Sequence, residues 1–358
     1  MAHAKTSPEN QTHGIVELLS EGENLLEDNP AQSLKLAEKV IRSLKNQESG
    51  IEYFKAIYLR GSAHSYLENY KKAIKDFNTC LTSEYYINDT VLLADLKFSM
   101  ARCYDYLANF DSAFVFYRAA LKLYQLKKNI YGQAKILQNL GIIESDNRRD
   151  SFAMLYYYKA LDLYRLLGNK AKEAAILQNI GVVYSNQEEY DKTIEFYGKA
   201  LKIFHSLNNL EGIASVENNL GLAYERKLQY KKALEHYQKS LTTFQEMNSR
   251  LGLAYLHDNM ASLYRRLQKT DIAIHHYQTS LLYADSVNVI DFQAFVHKEL
   301  ASLYEASGKL RKSLYHFKTG SELEDSLALK ENLKKLSDAQ ATFQGELKDV
   351  EIQKRNSS

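Results

Sequence analysis

Apolar residues recur at helical spacing, in paired runs, along most of this chain. Within residues 170–209, Ile176, Ile180, Val183 and Tyr184 fall on one helical face, and Ile194, Tyr197, Leu201 and Phe204 on another. Steps of three and four between apolar positions mark an amphipathic α-helix. The polar stretch 185–189 separates the two runs, and Asn208-Asn209 follows the second as a helix stop. The pattern predicts a hairpin of two helices, A and B.

The same pattern returns every forty residues. A small residue marks helix A at Gly61, Ala101, Gly141, Gly181, Gly221, Ala261 and Ala301. A second lies on helix B twelve places later, at Ala73, Ala113, Ala153, Thr193, Ala233, Ala273 and Ser313. Such a period means stacked supersecondary units, none of which can bury its apolar face alone. Glycine in a helix interior costs up to about 1 kcal/mol against alanine, so its recurrence points to close approach by helix B. Tyr104, Tyr184, Tyr224, Tyr264 and Tyr304 lie three after the first small site; Phe77, Tyr117, Tyr157, Tyr197, Tyr237, Tyr277 and Phe317 lie sixteen after it. These rings are expected to fill the space between successive hairpins.

The order Leu-Gly-x-x-Tyr, then Tyr, Ala, Tyr or Phe, and Ala-Leu, clearest over 218–241, resembles the tetratricopeptide repeat. Units of forty residues without a closing proline are similar to the longer-repeat branch that includes kinesin light chain and bacterial sensor proteins. The resemblance implies an all-α, right-handed superhelical solenoid of about eight helical hairpins. It covers 51–325 as seven repeats. Residues 14–50 read as a degenerate capping repeat, two helices split by Asp28-Asn29-Pro30, with Glu21 in the small position. Residues 1–13 are polar and expected to be disordered. The unit from Tyr131 departs from the pattern at Glu144 and Asp150, which predicts a looser or more exposed loop there.

In the tail, 326–358, Leu329, Leu333, Leu336, Phe343, Leu347 and Val350 follow alternating steps of four and three, with Gln340 in the missing slot. That is a heptad seam. It predicts a coiled coil, with a helix folded onto the last hairpin as the alternative. The tail also resembles the connector that follows such arrays in bacterial membrane-anchored sensor histidine kinases. That implies a sensory segment whose C-terminal helix, 326–352, forms a homodimer.

Asn139, Asn179, Asn219 and Asn259 hold one helix A position in four consecutive units, two before the small site. Asparagine is a poor helix-interior residue, so the series needs a reason. The resemblance places this position on the concave groove, where an amide can donate to and accept from an extended peptide backbone. An inter-repeat hydrogen-bond ladder would give the same spacing. Four such amides supply only about 2–6 kcal/mol, short of the roughly 8 needed for micromolar binding. Neighbouring pockets must add the rest. By register the groove also takes Gln138, Gln178, Asn218 and Asp258, then Asn186, Arg226 and Arg266; the arginines would meet a ligand carboxylate or bridge to Glu225 or Glu305. Toward the N-terminus these positions become Tyr58, Tyr66, Phe98 and Tyr106, an apolar pocket or buried packing.

A net charge of +2 without a basic block argues against nucleic acid. No run of 18 apolar residues is present to span a membrane. The absence of a signal peptide points to the cytoplasm, whereas the sensor resemblance points to a periplasmic segment of a longer membrane protein. Cys80 and Cys103 lie outside any metal-ligand spacing and read as buried thiols. The histidines, His275-His276 and the scattered His236, His257, His297 and His316, read as structural or surface groups. No catalytic motif, metal site or cofactor fingerprint is found. The expected protein is a non-enzymatic module that binds a peptide or protein segment.

Overall fold

The structure is a computed structural model that describes residues 8–44 and 50–356; the side chains of 8–13, 334, 337–338 and 341–356 lie outside that description. The chain forms two compact units, 1–183 and 184–358. Every regular element among the described residues is an α-helix.

The first unit opens with α1 (Pro8–Asn24) and α2 (Pro30–Ser43), then pairs α3 (Ile51–Tyr66) with α4 (Tyr70–Cys80). It continues with a short α5 (Glu84–Asn88), then α6 (Thr90–Tyr106) with α7 (Phe110–Leu126), α8 (Ile130–Asp146) with α9 (Asp150–Leu166), and α10 (Lys170–Asn186), whose last turn lies in the second unit. Local chemistry sets the starts. Asn29 accepts from Gln32 N–H with Pro30 in the first turn, and Asp89 accepts from the N–H groups of Val91 and Leu92. Asn109 and Asn129 cap α7 and α8 in the same way, which satisfies donors the helix leaves unpaired. The even hairpin pattern fails once: α4 is short, and Ser83 caps α5 before α6 begins.

The second unit holds α11 (Tyr190–Ser206), α12 (Leu210–Arg226) with α13 (Tyr230–Glu246), α14 (Arg250–Arg266) with α15 (Thr270–Val287), and α16 (Ile290–Ala306) with α17 (Leu310–Asn356). The sequence reading ends the last repeat near residue 325 and begins a separate helix. Instead α17 runs unbroken for 47 residues. Nothing in 320–330 stops it: there is no proline, and Gly320 is helical and packs close to α16, where a Cβ would lie 3.1 Å from the Ala294 carbonyl oxygen. Leu329, Leu333, Leu336 and Gln340 are exposed on it, while Phe343, Leu347 and Val350 lie outside the described side chains.

The rings do more inside a hairpin than the sequence reading gave them. A Cβ built on Gly221 would sit 2.4 Å from the Tyr237 ring, and one on Gly141 would sit 2.5 Å from Tyr157. The residue sixteen after the small site therefore seals its own hairpin and not the gap to the next. A different ring column fills that gap: Tyr124 covers Gly132 in the first unit, and Phe204 and Phe244 cover Gly212 and Gly252 in the second. Tyr237 and Tyr117 are fully buried, whereas Phe317, in the last hairpin, is 57% exposed.

The α3–α4 turn and every turn from α6 onward carry one left-handed residue each, and among these only Gly168 and Gly308 meet that need with glycine. Leu228 sits there at φ 59 with its side chain 67% exposed. A left-handed leucine is strained by about 1–2 kcal/mol. Leu228→Gly, which also frees the unfolded chain, is expected to net a stabilisation of about 0.5–1 kcal/mol. A higher urea midpoint at unchanged slope would show it; a lower midpoint would contradict it.

Candidate functional site

In the first unit the register columns of helix A converge on a cleft of about 470 Å³. That is large enough to enclose one or two side chains of a ligand. Three columns line it: Tyr58 and Phe98, three before the small site; Ser62 and Arg102, one after; and Tyr66, five after. Lys135 and Asp95 enter from α8 and α6, and α1 and the inserted α5 contribute Leu19 and Tyr86.

The floor is aromatic and held in place. The Tyr58 ring lies 5.5 Å from Phe77 and 5.6 Å from Tyr86, and its hydroxyl is 3.0 Å from Ser99 Oγ. Burial pushes the Tyr58 phenol up to about 12, so it stays neutral and able to donate. Two cations line the cleft beside this floor. The Lys135 ammonium is 4.2 Å from the centre of the Phe98 ring, and the Arg102 guanidinium lies 5.8 Å from the Tyr106 ring. Burial, and then the like charge of Arg102, lowers the Lys135 ammonium below the ordinary lysine value. Among the described residues neither cation has a carboxylate within ion-pair distance. Asp95 is engaged by the Tyr124 hydroxyl. Asp95 still acts on Lys135 through space, and Glu23, Glu52 and Lys55 also line the cleft. An apolar floor beside two half-buried cations that form no ion pair suits an apolar group beside an anion.

The asparagines are half-buried in both units. In the first, the Asn139 amide donates to the Lys135 carbonyl at 2.8 Å, which sets it one turn beyond Lys135 on the same face of α8. Gln138 accepts from the Tyr164 hydroxyl at 3.1 Å. Asn179 and Gln178 hold the matching positions on α10. None of these four lines the cleft. In the second unit Asn259 donates to Asn218 Oδ1 at 3.0 Å, a bond from one repeat to the next, and Asn219 sits beside it on α12. Arg266 is paired with the buried Glu225 at 2.9 Å, while Arg226 and Asn186 are exposed. Tyr106 is exposed and stacks on Tyr70 at 4.9 Å, outside the cleft.

Sequence reasoning named the aromatic columns but missed Arg102, Lys135 and Tyr86. The first two fall in register and a column-by-column reading would have found them; Tyr86 sits on an element outside the repeat. The histidines are also better ordered than they first look. His236, His276 and His316 are forty apart, as are His257 and His297. Among the described residues no three potential ligands gather around a metal position. None of the described helices is long and apolar enough to cross a membrane.

A tetratricopeptide-repeat family model matches residues 172–246, and a second of the same description matches 54–85. A search of curated proteins gives no match. Among solved structures, the apo form of the quorum sensor NprR from B. thuringiensis superposes with a TM-score of 0.66 at 14% identity, covering 87% of each chain. A Rap protein complexed with competence and sporulation factor gives 0.56 at 14% identity, over 88% of this chain and 99% of that one. BtubC (BKLC) from P. vanneervenii gives 0.51 at 22% identity, over 68% and 93%. At these identities the likeness speaks for the fold. Matches in the first repeat and in the middle of the array, hairpins in forty-residue register and three helical neighbours agree: this chain carries tetratricopeptide repeats and has their all-helical fold.

Proposed function

We propose that this protein is an interaction module that holds an extended peptide or protein segment, and that its first unit makes the main grip. The observation that carries this is the cleft in which Arg102 and Lys135, neither of them ion-paired, stand beside the Tyr58–Phe98 floor. An apolar ligand side chain enters the floor, and a neighbouring carboxylate meets the two cations. Asn139, one turn on, and Gln138 take the backbone that leaves the cleft, with Asn179 and Gln178 further along. The second unit offers Asn219 and Arg226 as further contacts. The Asn218–Asn259 bond and the Arg266–Glu225 pair would have to open before Asn218, Asn259 and Arg266 could serve a ligand. The Rap structure noted above is itself a complex, with competence and sporulation factor, which supports the same reading here.

Selection of linear peptides from a phage-displayed random library on the full chain tests this. Selected peptides are expected to carry an acidic residue next to an aromatic or aliphatic one. Arg102→Ala with Lys135→Ala should weaken them at least about tenfold by calorimetry, since charged hydrogen bonds are worth about 1.5–3 kcal/mol each. Equal affinity in the double variant would remove the cleft from the account.

A second reading, a sensory segment whose tail forms a dimer, rests on α17. Its antiparallel partner α16 begins at Ile290, opposite about residue 326, so among the described residues the part of α17 beyond that point runs past the end of its partner. A lone helix of that length is marginal in water, and exposed Leu329, Leu333 and Leu336 on it suit a second copy. Light scattering should give twice 41.2 kDa for the chain and a monomer for a form ending at Ser326. A full-length monomer ends this reading.

A further inference from the structure

At one register position the second unit places three polar pairs, where α8 and α9 of the first unit place an apolar one. The pair lies between helices A and B of a single hairpin. It is Leu137 with Tyr156 on α8 and α9, but Glu217 with His236 on α12 and α13, His257 with His276 on α14 and α15, and His297 with His316 on α16 and α17. In the second unit the second member stacks on the tyrosine three after the small site, Tyr224 on His236, Tyr264 on His276 and Tyr304 on His316, as Tyr104 stacks on Phe116 in α6 and α7, all with centroids 5.0–5.4 Å apart. The histidines therefore occupy aromatic packing positions inside the hairpins.

The two His–His pairs share one geometry. Nδ1 faces Nδ1 at 2.9 Å in both. Two neutral imidazoles can meet in this way, one nitrogen donating and the other accepting, with a single proton between them. A second proton sets two N–H donors and two positive charges face to face. The spacing is that of a shared proton, tighter than the roughly 3.3 Å between two nitrogens on a tetrahedral zinc. We propose that mild acidification opens the two terminal hairpins, α14/α15 and α16/α17, because each is closed by a histidine pair with room for one proton, and that α12/α13 stays shut.

The surroundings support this. The groups facing the first pair are Tyr264 on α14 and His275 and Tyr283 on α15; no carboxylate acts on it. Those facing the second pair are Tyr304 on α16, Tyr315 and Lys312 on α17, and one carboxylate, Asp285 on α15. Burial, then the partner imidazole, holds His276 and His316 down at about 4; burial also lowers His257 and His297. A histidine depressed in the folded state costs stability once the unfolded chain begins to bind its proton. The loss starts below about pH 6.5 and is complete below about 4. The third pair differs in kind: a proton on His236 meets the Glu217 carboxylate, with Lys239 4.0 Å away on the other oxygen. Asp258, Asp285 and Glu225 are raised by burial and act with the opposite sign, so the histidine contribution must be isolated by substitution.

The test is hydrogen exchange of the full chain at pH 7.4 and 5.0, corrected for the intrinsic rate, in the parent and in a variant given leucine–aromatic pairs like Leu137 with Tyr156. That variant is His257→Leu, His276→Phe, His297→Leu and His316→Phe. In the parent, amides of α14–α17 are expected to open at least about tenfold more at pH 5.0, with α12 and α13 changing far less. The variant should lose that difference. A parent without the difference, or a variant that keeps it, overturns the proposal. If the variant does not fold, NMR titration of the parent decides: His276 and His316 ring signals should stay neutral at pH 5.5, and ordinary titration near 6.5 would overturn the proposal.

Discussion

Tyr237→Ala is expected to lower the unfolding free energy by about 3–5 kcal/mol, the largest loss from any single side chain in the second unit. The ring is fully buried, lies on Gly221 of the facing helix, and donates its hydroxyl to Glu225 at 3.0 Å. Truncation leaves a cavity that the two helices cannot collapse into. It also strips a hydrogen bond from a carboxylate that burial already raises above its ordinary range. The converse substitution fails for the opposite reason. Gly221→Leu gains helix propensity but puts its Cβ 2.4 Å from the ring, where the smallest side chain already collides. Overpacking of this kind costs about 1–3 kcal/mol. Urea denaturation followed by near-ultraviolet dichroism measures both. Loss below about 1 kcal/mol in Tyr237→Ala would mean the ring does not seal the hairpin.

Asp258→Asn is expected to stabilise the protein, by about 2–4 kcal/mol at pH 8. Burial, with Glu299 adding to it, pushes the Asp258 carboxyl up to about 7, and one of its oxygens is buried without a hydrogen-bond partner. The folded state therefore keeps a proton that the unfolded chain releases near 4. Stability from this group is lost as pH rises from about 4 to about 7, and the cost is fully present above 7. Asparagine removes the charge, and Asn218 shows that the position one repeat earlier accepts it. The gain should shrink toward zero near pH 4. An equal gain at pH 4 and pH 8 would mean that packing, not ionisation, is responsible.

Much of this architecture was legible in the sequence because a repeat states each packing rule several times. Gly61, Gly141 and Gly221 announced close helix approach, and an aromatic ring rests on each. The direction of that packing was less legible. Period alone cannot say whether Tyr237 faces its own hairpin or the next, since both lie within reach of a ring. The inserted α5 broke the pattern, so Tyr86 and the wall it adds to the cleft were out of view. The asparagine series was visible as a series, but one column hosts different bonds: Asn139 turns back to its own helix, and Asn259 reaches Asn218. The histidine pairs went unread because their partners lie nineteen residues apart, on different helices, and only the hairpin brings them together.

The most direct test of a peptide-binding cleft is a hydrogen-exchange footprint of a selected peptide on the full chain. The account predicts added protection concentrated in α3, α6 and α8, around Tyr58, Phe98 and Lys135, and absent from the Arg102→Ala, Lys135→Ala variant. Protection confined to the second unit, or unaltered in that variant, would contradict it.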